Sequence, residues 1–332
     1  MDSTLAFLHK QKFNAIFKLS TSTLQQLREW FFAQPYLLLT LVPLFWGGNA
    51  VVGRGMTEFI SPITLAWIRW TVAFLLILPF ALPSIRRDWQ TIRSSWKMLL
   101  LLSLLGITIF NTLFYVALQT TQAINAALMQ SAGPAVIVLL SWWWFGERTN
   151  QRQWCSLLLC FLGVGLVLFQ GSWEVLRKFE LVPGDLWLLP AVLAYASYTT
   201  LLRVKPTISL MSFLAVTFGL GGSMLIPPML LEWYWIGMPQ GSPQLAWAVG
   251  YVSIFPSILA FLFWNRGIEL IGPNLGGLFI NLVPVFASLL AIIFLSENFQ
   301  WYHAGGMLLV LSGMLLFRKS AVPRSTQEKA PA

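Results

Sequence analysis

Ten stretches of the chain are almost continuously apolar and are candidate membrane spans. A helix that crosses the hydrocarbon core of a bilayer needs about 20 mostly apolar residues. Strands of a membrane barrel alternate apolar and polar residues, so continuous runs favour helices. The predicted spans are Tyr36–Val52, Ile63–Leu82, Met98–Leu118, Ala123–Phe145, Trp154–Phe169, Leu186–Leu202, Leu210–Leu231, Leu245–Trp264, Leu275–Leu295 and Ala304–Phe317. A charged fraction of only 10% agrees with lipid as the solvent of an all-α integral membrane protein.

The second half of the chain repeats the first. The segments "SAGPAVIVLLSWWWFGE" (131–147) and "NLVPVFASLLAIIFLSE" (281–297) lie 150 residues apart; both have proline at the fourth position and end on glutamate. Nearer the start of each half, "LFWGGNAVVGR" matches "LAYASYTTLLR", with Arg54 aligned on Arg203 at an offset of 149. Each copy holds five spans, and because five is odd the second copy enters the membrane upside down. We therefore predict ten transmembrane helices in two inverted five-helix repeats.

The basic residues predict how the chain is threaded. With the N-terminus inside, only Arg54, Arg177 and Lys178 fall in external segments, Arg69 lies within a span, and every other basic residue is internal. This positive-inside pattern accounts for the net charge of +9 without a nucleic-acid partner. The predicted divisions are a cytoplasmic tail 1–35, repeat one 36–170, an external loop 171–184, repeat two 185–319 and a cytoplasmic tail 320–332. The first tail is either a short amphipathic surface helix or a solvated segment.

Pro134 and Pro284 lie inside their predicted spans, where a proline removes a backbone donor. The carbonyl freed by each needs water or a neighbouring group, which favours a helix that lines a cavity. Glu147 and Glu297 follow about 13 residues later, or roughly 20 Å along a helix, and are expected at the membrane faces. Each is either a helix-end anchor, paired with a nearby base such as Arg148, or a group that gates transport or couples it to protons.

Arg69 is the one clearly intramembrane charge in the sequence. It stands seven residues after Pro62, about 10 Å into its span. A charged side chain at this depth normally faces a polar interior. Two interpretations stay open: Arg69 binds a substrate carboxylate through paired hydrogen bonds, or it is a structural hub that donates to helix carbonyls.

Other polar and aromatic side chains recur within or at the ends of the predicted spans. They either orient a ligand or bond one helix to another, and as a set they are more typical of a polar cavity. Besides Arg69, the predicted cavity residues are Trp46, Asn49, Asn111, Tyr115, Gln130, Tyr195, Tyr198, Trp264, Asn265 and Asn281. The two tryptophans offer rings on which an apolar or aromatic ligand can stack.

Several of these motifs resemble those of the drug/metabolite transporter superfamily, in its EamA type with ten helices. The resemblance covers roughly residues 36–319 and rests on "FWGGN" (45–49), "WIRW" (67–70), "YVAL" (115–118), and "P…GE" (134–147) with its second copy. It implies two EamA repeats around a central cavity lined by helices one to four and six to nine, with helices five and ten at the periphery. It also implies export of metabolites such as amino acids across a bacterial inner membrane. The second copy departs from the pattern, because Ser296 replaces the expected glycine and helix seven has no arginine opposite Arg69.

The sequence thus predicts a secondary carrier that moves a small amino-acid-like or amphipathic metabolite by alternating access, with export favoured. It is expected in the bacterial inner (plasma) membrane with both termini cytoplasmic. No Walker-type loop is present, so an ATP-binding domain is not expected, and no cofactor or metal is predicted. An integral-membrane enzyme acting on a lipid-linked substrate would need clustered His, Asp or Glu at one face, and the acidic residues are dispersed. A non-transporting receptor or assembly subunit is the other alternative, and the oligomeric state is not specified.

Overall fold

The computed structural model describes residues 26–121, 126, 129–130, 132–169, 171–177, 183–295 and 300–320. All regular secondary structure in these residues is helical. We number as α1 to α10 the helices that correspond to the predicted spans. They are α1 Pro35–Gly55, α2 Pro62–Ser94, α3 Trp96–Thr120, α4 Gly133–Phe145, α5 Gln151–Leu168, α6 Pro183–Val204, α7 Leu210–Ile236, α8 Pro243–Ile271, α9, which joins Pro273–Gly277, Leu278–Asn281 and Leu282–Leu295, and α10 Trp301–Ser320.

The helices confirm the predicted fold class. Among the described residues, α1, α2, α3, α6, α7 and α8 are each long and apolar enough to cross a bilayer, and α4, α9 and α10 contain shorter apolar helices. The largest difference from the predicted spans is in α2, which continues to Ser94, about 12 residues beyond Leu82. Its last turns are polar and carry good helix formers such as Arg86 and Arg87, so the helix does not end where the apolar run ends.

Both predicted proline sites lie at an interruption of the span, but the prolines stand after it. Pro134 is in the first turn of α4, which begins at Gly133. Pro284 is in the first turn of Leu282–Leu295, directly after the 3-10 turn Leu278–Asn281. The N–H groups of a first helical turn have no intrahelical acceptor, so a proline there removes no helical hydrogen bond. Each proline therefore stands in the first turn of a helix, directly after the interruption, and not in the middle of a continuous helix.

The helices pack in pairs that map onto each other when the two halves are exchanged. α2 packs on α7 and α5 packs on α10, each helix against its own counterpart. α3 packs on α6 as α8 packs on α1, and α4 packs on α6 as α9 packs on α1. The two halves are therefore related by a pseudo-two-fold axis. With five helices in each half, this axis lies in the membrane plane, the arrangement of an inverted-topology repeat.

The third helix of each half contains a π-helical turn at the same place. These turns are Leu104–Ile109 in α3 and Ile254–Leu259 in α8, and they lie 150 residues apart, the offset of the repeat. A π turn changes the register of the backbone hydrogen bonds, and such turns occur frequently at functional sites. The pseudo-symmetry thus extends to a local irregularity of the backbone.

Each of α2 and α7 carries a carboxylate that caps the start of the other. Glu232, near the end of α7, accepts a hydrogen bond of 2.7 Å from the backbone N–H of Thr64 at the start of α2. Asp88, near the end of α2, accepts from the backbone N–H of Ser209 at 2.8 Å and from the Ser212 hydroxyl at 2.7 Å at the start of α7. Helix N-termini have unpaired N–H groups and a partial positive charge. The two helices are therefore tied together at both ends.

Glycines bring α5 and α10 close together, at the edge of the bundle. A Cβ atom on Gly163 would lie 2.7 Å from the carbonyl oxygen of Gly306, and one on Gly313 would lie 2.7 Å from that of Ser156. These two contacts are repeat-related, since both pairs of partners differ by 150 residues. Ser156 also donates to the carbonyl of Gly313 at 2.5 Å. Small residues permit this approach of two helix backbones in a membrane.

Candidate substrate site

Aromatic rings fill the centre of the bundle, where the sequence predicts a cavity. Ring centroids lie 5.2 Å apart for Trp46 and Trp264, 5.4 Å for Trp46 and Tyr195, and 5.6 Å for Tyr195 and Tyr198. Between the helices of the described residues there remains a cavity of about 20 Å³, which holds about one water molecule. Among the described residues, these side chains thus occupy volume in the region where the metabolite-sized central cavity is expected.

The small cavity lies between the two halves and beside both interrupted helices. Its wall includes Gln130 and Ile280, which are 150 residues apart and stand four residues before the proline of each repeat. The other large wall residues are Trp46 of α1, Phe110 of α3 and Tyr195 of α6. Carriers with inverted repeats bind their solutes at the repeat interface, next to discontinuous helices. The cavity thus marks the place where a solute site is expected.

Tyr195 is distinctive among the described wall residues. Its hydroxyl group is buried and has no hydrogen-bond partner among the residues that the structure describes. Its ring lies 4.6 Å from that of Phe110. A buried polar group without a protein partner usually marks a place for water or a ligand. The indole N–H of Trp264, whose ring packs against that of Trp46, is also buried and has no hydrogen-bond partner among the described residues.

Arg69 lies behind this aromatic wall and is only 1% exposed. Its guanidinium group donates to the Ser257 hydroxyl at 2.5 Å, the Tyr115 hydroxyl at 2.9 Å, the Pro256 carbonyl at 3.0 Å and the Asn49 side-chain oxygen at 3.3 Å. All four acceptors are neutral. No carboxylate pairs with Arg69 in the described part of the chain. The contacts of Arg69 are therefore those of a structural hub that donates to several helices. Its positive charge has no counterion among the described residues.

Two tyrosine–asparagine pairs occupy repeat-related positions. Tyr115 donates to Asn49 at 2.9 Å and links α3 to α1, while Tyr198 donates to Asn265 at 2.9 Å and links α6 to α8. In the alignment of the halves Asn49 matches Tyr198 and Tyr115 matches Asn265, so donor and acceptor exchange places. These four predicted cavity residues join helix to helix here and do not line the cavity.

Two further predicted cavity residues also lie away from the cavity wall. Asn111 is 1% exposed and donates to the carbonyls of Gly106 and Ile107 in the π turn of its own helix, at 3.2 and 2.9 Å. Asn281 is buried and contacts Cys160 of α5. Of the predicted set, the cavity wall contains Trp46, Gln130 and Tyr195.

Glu147 joins three helices at the face that the charge pattern predicts to be internal. Its carboxylate pairs with Arg203 at the end of α6 at 2.5 Å and accepts from Asn274 at the start of α9 at 2.6 Å. The partner is thus Arg203 rather than the neighbouring Arg148. Glu297, the second predicted helix-end carboxylate, lies outside the described residues.

A second ion pair extends this contact toward α8. Lys205, in the connection between α6 and α7, lies 3.7 Å from Glu269, which also lies 3.5 Å from Arg266. Burial lowers the pKa of Lys205, and the carboxylate of Glu269 offsets part of this effect. The predicted internal ends of α4, α6, α8 and α9 are therefore connected by charged and amide groups.

The opposite face is arranged differently. Arg54, the repeat counterpart of Arg203, donates to the carbonyls of Leu118 and Gln119 at the end of α3, at 2.6 and 3.3 Å. A recess of about 550 Å³ opens on this face, lined by residues 57–62, Gln119 and residues 236–242. An open volume thus lies on the predicted external side.

Sequence analysis missed Phe110, Pro256 and Ser257. Phe110 is one of 25 phenylalanines, and nothing in its local pattern distinguishes a ring on the cavity wall from a ring in contact with lipid. Pro256 stands within the predicted eighth span, and a proline in a helix interior indicates a local break. That signal could have located the π turn of α8. The π turn of α3 has no comparable sequence signal, because Gly106 stands at the position of Pro256.

Two inverted repeats of membrane-spanning helices with a small polar and aromatic site between them define a membrane transporter. The model of the EamA-like transporter family matches residues 34–169 and again residues 182–318, and the chain belongs to this family. Its membership confirms the resemblance seen in the motifs. It also confirms that the chain is a transporter rather than an enzyme.

Relatives at lower similarity agree with this assignment. The chain is 28% identical to the uncharacterized transporter YyaM of Bacillus subtilis over 285 residues, which cover 84% of this chain and 92% of that protein. It is 25% identical to an uncharacterized transporter of Archaeoglobus fulgidus over 285 residues, 86% of this chain and 97% of that protein. One crystal structure, at 19% identity, aligns with a TM-score of 0.66 over 86% of this chain and 99% of its own, and shares the fold.

Proposed function

We propose that the protein is a secondary carrier for a small metabolite that has both a carboxylate and an apolar or aromatic part, such as an amino acid. One observation carries this proposal: the buried charge of Arg69 has no carboxylate partner in the described residues. Charges interact over longer distances in a low dielectric than in water. A solute at the repeat interface therefore gains energy from a negative group and loses energy from a positive one.

The cavity wall supplies the contacts for the rest of the solute. The rings of Trp46, Phe110 and Tyr195 offer faces and edges for an apolar or aromatic part. The Tyr195 hydroxyl and the side chain of Gln130 offer polar contacts that fix its orientation. A mostly aromatic wall with few polar groups is typical of sites for small organic molecules.

Transport by alternating access requires the present arrangement to open on each side in turn. The contact of Glu147 with Arg203 and Asn274 joins α4, α6 and α9 at the predicted internal face. We propose that this contact is the internal gate, which opens as the two halves rock about the shared site. The carboxylates of Asp88, Glu147, Glu232 and Glu269 lie near helix ends, so proton coupling through the membrane centre is not part of the proposal.

The proposed location is the bacterial inner membrane, with both termini cytoplasmic and export as the direction of transport. The distribution of basic residues supports the orientation. Export rests on the resemblance to exporters of the same family. The direction of net flux in cells that overproduce the protein would test this part of the proposal.

Flux measurements in liposomes test the substrate class. Purified protein is reconstituted and assayed with pairs of labelled solutes that differ only by carboxylate and amide, aromatic amino acids among them. We expect a preference for the carboxylate, and Arg69→Gln should reduce that preference by about tenfold. Arg93→Gln, a change of an exposed arginine at the end of α2, is the matched control and should leave it unchanged. Equal flux of both members of each pair through the wild type would refute the proposal.

A reversible cross-link across the gate tests the mechanism. Cysteines are placed at Glu147 and Asn274, whose side-chain ends meet with 2.6 Å between Oε2 and Nδ2, after Cys155 and Cys160 have been replaced by alanine. A short bis-methanethiosulfonate linker should stop flux and a reductant should restore it, whereas each single cysteine variant should respond to neither treatment. Full flux through the cross-linked protein would show that this contact does not open during transport.

A further inference from the structure

The two π turns satisfy their backbone carbonyls in different ways. In α3 the side chain of Asn111, on the same helix, donates to the carbonyls of Gly106 and Ile107. The residue at the equivalent place in α8 is Phe261, since it lies 150 residues further on. A phenylalanine side chain has no donor. The second copy therefore needs another source of hydrogen bonds for the carbonyls of its π turn.

In α8 one of the two equivalent carbonyls accepts hydrogen bonds from the other half of the molecule. The carbonyl of Pro256, which is the counterpart of Gly106, accepts from Arg69 of α2 at 3.0 Å and from the indole N–H of Trp46 of α1 at 3.3 Å. Arg69 also donates to the Ser257 hydroxyl at 2.5 Å, and that hydroxyl donates to the carbonyl of Val252 at 2.6 Å. Two side chains of the first half thus reach the π turn of the second.

We propose that Arg69 is a positioning residue for the π turn of α8: together with Trp46 it supplies to the Pro256 carbonyl the hydrogen bonding that Asn111 supplies to the Gly106 carbonyl in α3. The planar guanidinium suits this role because its N–H groups point along fixed directions toward several acceptors at once. The same side chain binds Asn49 and Tyr115. Arg69 therefore ties the bend of α8 to the α1–α3 pair, near the interface at which the two halves move.

This role is separate from the proposed preference for carboxylates. The preference depends on the positive charge, whereas the support of the π turn depends on the shape and the directions of the guanidinium group. Lysine offers one compact ammonium group on a flexible stem in place of the planar guanidinium. Arg69→Lys is therefore expected to loosen the π turn of α8, and hydrogen exchange reports this loosening separately from the flux preference. The two proposals can fail independently.

Trp46 contacts both the cavity and the π turn of α8. Its ring lines the cavity, and its N–H shares the Pro256 carbonyl with Arg69. A solute that displaces this ring removes one of the two long-range donors from the carbonyl. Occupation of the site and the geometry of α8 are then coupled through one side chain.

Hydrogen–deuterium exchange of the full-length protein in lipid nanodiscs tests the inference. Peptides that cover residues 252–261 report on the π turn of α8, and peptides that cover residues 104–111 report on that of α3. Arg69→Lys should raise the exchange rate of the first set about tenfold and leave the second set unchanged. Asn111→Leu is the matched control and should give the reverse pattern. Unchanged exchange in α8 of Arg69→Lys, or an equal rise in both sets, would overturn the inference.

A second variant keeps the test decisive if Arg69→Lys does not fold. Ser257→Ala retains the arginine and removes only the hydroxyl that accepts from it and donates to Val252. This variant should also raise exchange in residues 252–261 and leave exchange in residues 104–111 unchanged. Exchange in Ser257→Ala equal to that of the wild type would contradict the proposed support of the π turn.

Discussion

At the scale of single residues, Tyr195 and Tyr198 have different roles. Tyr195 is available to a solute, whereas Tyr198 joins two helices of the bundle. They lie one helical turn apart on α6, and both are buried. Tyr198 donates to Asn265, whereas the hydroxyl of Tyr195 has no partner in the described residues, and Tyr195 is part of the wall of the small cavity. The same residue type therefore has two different roles within four positions of the chain.

Removal of the hydroxyl should affect stability at Tyr198 and transport at Tyr195. Tyr198→Phe leaves the side-chain oxygen of Asn265 without its donor, and should lower the free energy of unfolding by about 1 kcal/mol. Tyr195→Phe removes a polar atom that no described residue binds, and should leave stability unchanged while raising the KM for transport. Thermal unfolding in detergent and flux in liposomes measure both effects. A loss of stability in Tyr195→Phe similar to that in Tyr198→Phe would contradict this assignment.

Asp88 makes stability depend on pH through its cap on α7, beyond the predicted end of the membrane span at Leu82. Burial raises the pKa of Asp88, but hydrogen bonds from Ser209 and Ser212 outweigh it and lower the pKa from 3.8 to about 2. A pKa below the unfolded value means that the charged cap stabilises the fold above about pH 4, and that this contribution is lost as the pH falls toward 2.

Asp88→Asn should therefore lower the Tm at pH 7, and the difference from the wild type should shrink as the pH falls below about 4. Thermal unfolding as a function of pH measures this difference. Glu58→Gln, which changes an exposed carboxylate, is the control and should have little effect on Tm at pH 7. A difference between Asp88→Asn and the wild type that is constant from pH 7 to pH 3 would contradict the cap.

At the scale of helices, two glycines of α5 have different surroundings: Gly163 is in close contact with another helix, whereas Gly165 has open space around it. A Cβ atom on Gly163 meets the backbone of α10, whereas the nearest atom to a Cβ on Gly165 belongs to Phe169 of the same segment, 3.9 Å away. Backbone atoms cannot swing aside as a side chain can. Two glycines separated by one residue therefore differ in what they tolerate.

Gly163→Val should force α5 and α10 apart and lower the free energy of unfolding by about 1–3 kcal/mol, the usual cost of overpacking. Gly165→Val carries the same change in volume and helix propensity, so it is the matched control and should remain close to the wild type. The Tm in detergent and the yield of folded protein in the membrane report the difference. Equal losses in the two variants would show that helix propensity, and not the α5–α10 contact, controls the result.

The helices also show how far sequence patterns reach at this scale. The apolar runs predicted every described span, because a segment in lipid must satisfy its backbone groups internally. They did not predict that α2 continues past Leu82, because helix formation does not stop at the lipid boundary. They also did not reveal the π turn Leu104–Ile109, since a one-residue change in backbone register leaves the apolar pattern intact.

At the scale of the whole molecule, exchange of the two halves maps one helix contact onto another. α2 and α7 cap each other's starts, and the glycines of α5 and α10 pack on each other's backbones. The symmetry is incomplete at the centre, where Arg69 has no counterpart, since Gly219 stands 150 residues further on. In the described residues, the duplicated scaffold thus carries near the site between its halves a charge, that of Arg69, which is not duplicated.

An even number of spans places both ends of the chain on one side of the membrane. Epitope tags at residue 1 and residue 332 should both be reached by a protease from the cytoplasmic side of sealed vesicles, and neither from the other side. A tag inserted next to Arg177, in the loop between the repeats, is the control and should show the opposite accessibility. Tags at the two termini found on opposite sides would refute the ten-helix topology.

The sequence by itself determined the helices, their inverted duplication and the family. The membrane requires long apolar segments and a bias of basic residues to one side, and duplication leaves a repeated motif, so all three are visible in the sequence. Only the tertiary structure decided which polar groups meet. Arg69 binds Pro256 across 187 residues, and Glu147 binds Arg203 rather than a neighbouring base. The tertiary structure also decided that aromatic rings fill the centre in this conformation. Such contacts depend on the packing of several helices in three dimensions, and no local spacing of residues encodes that packing.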